Sequence, residues 1–116
     1  MNRIRYNLIE WGADPDEAIR RVMDDELFYK KLLLEFADGE MLRRLQRSVE
    51  SGQYKQAFQI AHEMKGAAAN LSLTPLCAAV SNVVEDLRGS VSPTLDMDMR
   101  ALEVQEAVLE RIVLSS

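Results

Sequence analysis

The chain has 116 residues, 47% hydrophobic and 28% charged, with a net charge of −5 and a single histidine. This is the size and mixture of one folded domain, expected over residues 1–116, with apolar side chains enough for a core. One Cys, Cys77, excludes an intrachain disulfide, and one His beside one Cys excludes a four-ligand zinc cage.

The lone thiol fits a reducing compartment, and no apolar run is long enough to span a membrane. Met1 to Tyr6 leads to Glu10 and Asp14 where a signal peptide would have an apolar block. A cytoplasmic chain is therefore expected, with no membrane partner. Its acidity also argues against nucleic acid.

The periodicity is helical almost throughout. Gly12 reads as a stop, Asp14 as an N-cap and Pro15 as the first residue of a short helix through Ala18, Ile19 and Val22. Asp24-Asp25 breaks it. Leu27, Phe28, Leu32, Leu33, Leu34 and Phe36 form a set too densely apolar for a fully exposed helix. After Asp38-Gly39, Met41, Leu42, Leu45 and Val49 make a helical stripe, and Arg43, Arg44 and Arg47 lie off it on a surface expected to be wet.

Ser51-Gly52 precedes the cleanest amphipathic segment, with Tyr54, Ala57, Phe58, Ala61, Met64, Ala68 and Leu71. Thr74 is the expected N-cap of the next helix, with Pro75 at its first position. That helix carries Leu76, Ala79, Val80, Val83, Val84 and Leu87 as far as Gly89. Residues 89–93 read as a loop, and a last helix carries Leu95, Met99, Leu102, Ala107, Leu109 and Val113. Glu103, Glu106 and Glu110 on it read as a solvated face. A diiron row would need Glu-x-x-His motifs on two helices. The expected fold is all-α: an antiparallel up-and-down four-helix bundle with one or two short N-terminal capping helices, and monomeric.

The histidine, His62, lies in the most regular helix. At about 100° per residue, it falls about 100° from the core direction set by Tyr54, Ala57, Ala61, Met64 and Ala68. Lys55, Gln59, Gly66 and Ala69 share its sector, and Lys65 lies one turn on. Glycine inside a helix costs about 1 kcal/mol relative to alanine. Tight helix packing and close approach of another molecule both account for such a residue.

A neutral imidazole is a nucleophile near neutral pH. Attack on an activated phosphorus would give a phosphohistidine, its added charge met by Lys65. The partner would bring the metal ion, carboxylate and phosphate-binding loop. A plain surface histidine is the competing reading.

The run from Ala61 to Leu76, with His62, Lys65, Gly66, Ala68 and Leu71, resembles the histidine phosphotransfer (HPt) domain pattern A-H-x-L-K-G-x-A-x-x-L-G-x-x-x-L. Gly12-Ala13-Asp14, Ala18-Ile19, Tyr29, Leu32-Leu33 and Phe36 echo its upstream segment, so the likeness covers about residues 10–88. Met64 replaces the usual Leu and Ser72 the frequent Gly. Val84 stands where an acidic residue is common, with Glu85 next to it.

The resemblance implies a four-helix bundle and a phosphoryl relay rather than an enzyme. His62 would accept phosphate from a receiver-domain aspartate and pass it to another receiver, with Lys65 stabilising the charge. The implied partners are response-regulator receivers and an upstream or hybrid histidine kinase. The chain itself would need no cofactor, Mg2+ being expected on the receiver. Gln59, Gly66 and Ala69, with Leu73 at the apolar border, form the expected contact. Two alternatives are a sequestering adaptor on the same bundle and the phospho-accepting module of a separate histidine kinase.

Overall fold

The computed structural model describes residues 1–114, which form seven helices and no strand. They are α1 (Asn2–Trp11), α2 (Pro15–Arg21), α3 (Glu26–Phe36), α4 (Glu40–Glu50), α5 (Tyr54–Asn70), α6 (Thr74–Leu87) and α7 (Leu95–Leu114). The four C-terminal helices make the bundle: α4 lies on α5, α5 on α6, and α6 on α7. A hydrogen bond of 2.8 Å from Gln46 Nε2 to Glu103 Oε2 ties α4 to α7.

Three helices, not one or two, precede the bundle. The first, α1, was not expected from the sequence. Ile4 and Leu8, four residues apart, are its buried positions, and it lies along α7. There Trp11 Nε1 donates to Gln105 Oε1 at 2.8 Å. Gly12, at φ 109°, ends α1 by donating to the carbonyls of Leu8 and Ile9.

The expected cap of α2 is present: Asp14 Oδ1 accepts from Glu17 N–H, with Pro15 following. Asp25 caps α3 in the same way, through Phe28 N–H. On α3 only Tyr29 and Leu33 are fully enclosed, while Leu27, Phe28 and Leu34 remain exposed. The apolar density of this segment therefore overstates its burial.

These small helices hold the end of α5. A helix terminus leaves carbonyls without intrahelical donors. Here Arg21 Nη1 donates to Asn70 O at 2.6 Å, and the buried Tyr29 hydroxyl donates to Leu71 O at 2.9 Å. Burial holds the Tyr29 phenol protonated well above its ordinary range. Ser72 occupies the left-handed region at φ 56°, which explains why glycine suits this turn. Its Oγ accepts from Arg21 at 3.0 Å, and its carbonyl from Asp14 N–H at 2.9 Å.

The core of α6 contains Leu76, Ala79, Val80, Val83, Val84 and Leu87, as its spacing predicts. Its cap differs. Thr74 is already helical and Leu73 holds the cap position, with no side-chain hydrogen bond. At the corner between α6 and α7, buried Asp86 accepts from the Thr94 hydroxyl at 2.7 Å. A hydrogen bond to Asp86 also raises the pKa of Asp98.

On α7 two expectations reverse. Glu106 is buried and Ala107 exposed. The enclosed positions Leu95, Met99, Leu102, Glu106, Leu109 and Val113 step by alternating fours and threes, and that rhythm passes through 106. The three glutamates are thus no common solvated face. Glu103 is bonded to Gln46, Glu110 is exposed, and Glu106 is enclosed with Oε2 unpartnered. Burial, then Glu110 and Asp38, push the Glu106 carboxyl up to about 7.

Candidate functional site

The inward face of α5 is Ala57, Ile60, Ala61, Met64 and Ala68. Tyr54, expected on that face, lies at the first residue of α5 and is exposed; Ile60 contributes instead. With this face fixed, Gln59, His62, Gly66 and Ala69 form one exposed stripe along the helix. The structure brings these four together. Lys65, half-buried, lies one turn beyond His62 and next to Gly66, and no ion pair among the described residues engages it.

Gly66 distinguishes between two explanations of a helical glycine. A methyl group there would meet no neighbouring helix or side chain within 4 Å, so tight packing inside the chain does not require it. Its effect is outward: the surface beside the imidazole has no side chain to keep another molecule away.

Phe58, grouped with the apolar stripe of α5 in the sequence, borders the imidazole, and Arg88 in turn borders Phe58. Phe58, four residues before His62, stacks on it with ring centroids 6.1 Å apart and planes inclined by 27°. Arg88, at the end of α6, sets its guanidinium 5.4 Å from the centre of the Phe58 ring. Glu85 holds that guanidinium with hydrogen bonds of 3.0 to 3.3 Å. The i,i+4 spacing of Phe58 and His62 was a usable signal. Nothing local in the sequence foretells Arg88, because α5 and α6 must first be laid side by side.

The stripe lies between two depressions. One, of about 330 Å³, is lined by Tyr54, Lys55, Phe58, Leu87, Arg88 and Gly89. The other, of about 400 Å³, runs from Ala69 past Thr74, Cys77, Ala78 and Ser81 to Asp14 and Glu17. Leu73 is a correction. It lies at the floor of that cleft but is fully buried, because the left-handed turn at Ser72 directs it into the core. It offers no apolar border to a visitor. Cys77, half-exposed in the cleft, lies with Sγ 3.9 Å from the carbonyl of Lys65.

Fold and stripe together define a class: a helical bundle that presents one imidazole on an open helix face, beside a lysine and a glycine. The family model described as the Hpt domain matches residues 31–113, more than two thirds of the chain. The chain belongs to the Hpt domain family, whose members serve histidine phosphotransfer in phosphorelays and interact with receiver domains and histidine kinases.

The match takes in α4 to α7 and most of α3, and leaves out α1 and α2. It thus extends further toward the C-terminus than the resemblance over residues 10–88, and starts later. Neither the curated proteins nor the solved structures yield a match. No helix among the described residues is long and apolar enough to cross a membrane.

Proposed function

We propose that His62 is the phospho-accepting residue of a phosphorelay carrier. It takes the group from the acyl phosphate of a receiver aspartate and yields it to a second receiver. An unprotonated ring nitrogen supplies the electron pair. The P–N bond forms as the acyl P–O bond breaks, the aspartate leaves as carboxylate, and the other ring nitrogen can release its proton to water. The receiver supplies the Mg2+ and the phosphate-binding loop; this chain supplies the nucleophile, its orientation and a cation.

The observation that carries this reading is the open surface at Gly66 beside an exposed imidazole. In-line attack needs the receiver's phosphorus close to the nitrogen, and a side chain at position 66 would stand in its approach. Stacking on Phe58 limits rotation of the ring, so that its edge projects outward. Lys65, one turn on, would meet the phosphoryl oxygens. A receiver covering the stripe would reach the cleft beyond Ala69 with its periphery, and Gln59 at the opposite end.

The direct test is labelling by a phosphorylated receiver. Wild-type protein should acquire acid-labile, alkali-stable phosphate, and His62→Gln should acquire none. Persistent labelling of that variant would refute the assignment. Incubation with ATP alone should leave the protein unlabelled, since the carrier depends on a partner for its phosphate. Labelling by a histidine kinase with ATP, but by no phosphorylated receiver, would instead favour the kinase-module alternative.

A further inference from the structure

From the outer face of α7 we infer a second interaction surface, through which two copies of this chain pair antiparallel, with the two-fold axis at Val104. The inference is independent of the phosphotransfer reading. Opposite the buried line of α7 runs a second line, made by Met97, Ala101, Val104, Ala107 and Leu114, all exposed. Met97, Val104 and Leu114 are more than half exposed, at 62%, 59% and 55%. Steps of four and three from Met97 to Ala107, and a step of seven, two turns, to Leu114, keep the line on one side of a twenty-residue helix. No helix of the chain covers it: α6, α1 and α3 lie against other sides of α7, and Glu103 turns toward α4. A shallow groove of about 510 Å³ follows its C-terminal half.

Charge identifies the occupant. Glu110 and Arg111 border the outer groove, Asp96 and Arg100 flank the line on the side toward α4, and all four are exposed with no ion pair holding them among the described residues. An antiparallel copy centred on Val104 brings Arg111 level with Asp96 of the second copy, and Arg100 near the level of Glu110. Each end of the contact then holds two acids and two bases. A parallel pair would set Arg111 against Arg111. The antiparallel arrangement also opposes the two helix dipoles. The surface is therefore complementary to itself in one orientation, the condition for an isologous two-fold contact.

Small residues at the centre, Ala101, Val104 and Ala107, let the helix axes come close. A twenty-residue helix is about 30 Å long and about 12 Å wide, so the pair covers about 700 Å² in total. That is below the usual range for stable complexes, which makes this a weak, concentration-dependent dimer. In the bundle α5 and α7 lie diagonally, sharing α4 and α6 as neighbours. Pairing through α7 thus leaves both His62 stripes open, and departs from the monomer expected from the sequence.

Sedimentation equilibrium from about 10 μM to about 1 mM tests it, spanning the range expected for a contact of this size. The average mass should climb from 13.2 kDa toward twice that value. Val104→Glu places two like charges at the two-fold axis and should weaken the dimer at least about tenfold. Circular dichroism should show that the variant is folded, since Val104 faces outward.

Arg111→Glu should weaken association about threefold to tenfold, and adding Asp96→Arg in the same chain should restore it. A protein that stays monomeric throughout the range overturns the inference. So does a dimer indifferent to Val104→Glu. Failure of the double reversal to restore pairing overturns the antiparallel register.

Discussion

Two helices of this bundle, α5 and α7, treat their faces in opposite ways. On α5 the enclosed side is wholly apolar and the open side is polar or bare, with His62, Gly66 and Ala69 in line. On α7 a carboxylate lies within the enclosed line, while Met97, Val104 and Leu114 face water. The difference teaches that amphipathic periodicity reports which side of a helix is covered, not what each side is for. Open space on α5 suits a transient visitor carrying phosphate. Open apolar surface on α7 suits another helix.

The comparison can be broken most severely at Gly66. Gly66→Leu should leave the helical spectrum unchanged, because the position is exposed and a Cβ there meets no other part of the fold within 4 Å. It should nevertheless slow transfer from a phosphorylated receiver by about 100-fold, the order expected when reacting atoms are held about 1 Å too far apart. Stopped-flow or rapid-quench labelling measures this rate. Undiminished transfer would show that the opening on α5 serves no visitor.

A smaller effect is expected at Glu106. The folded protein keeps this proton up to about pH 7, whereas an unfolded chain releases it near the ordinary glutamate value of 4.5. Stability should therefore be highest at and below pH 4.5 as far as this group is concerned. It should fall as pH rises toward 7 and change no further above it. The span corresponds to about 3 kcal/mol.

Glu106→Gln removes the ionisation, so it should raise stability in urea by about 1–3 kcal/mol at pH 8 and by much less at pH 5. Equal effects at both pH values would show that burial does not govern this carboxyl. The result would sharpen the contrast, since none of the enclosed residues of α5 ionises.

The smallest effect is expected where α5 ends. Ser72→Gly relieves a left-handed serine, worth about 1 kcal/mol, and loses the hydrogen bond from Arg21, worth about as much. Thermal melts should differ by no more than a few degrees for a domain of this size. A large loss of stability would mean that the Arg21 contact, rather than backbone conformation, holds the end of the helix.

The sequence by itself determined the class of fold, because period-3.6 spacing, the Asp14 cap and glycine punctuation are local properties of the chain. It also determined the shared stripe of Gln59, His62, Gly66 and Ala69, since their angular order follows from one regular helix. The missing helix, α1, had a weaker signal in Ile4, Leu8 and Trp11, and acquires its role only by lying on α7.

Tertiary structure decided the rest. Leu73 became core because a left-handed turn redirected it. Glu106 became enclosed because the line buried by neighbouring helices passed through it rather than through Ala107. Arg88 reached the Phe58–His62 pair because α6 lies beside α5. In each case the deciding contact joins segments distant in the chain, and no local spacing encodes which segments will meet.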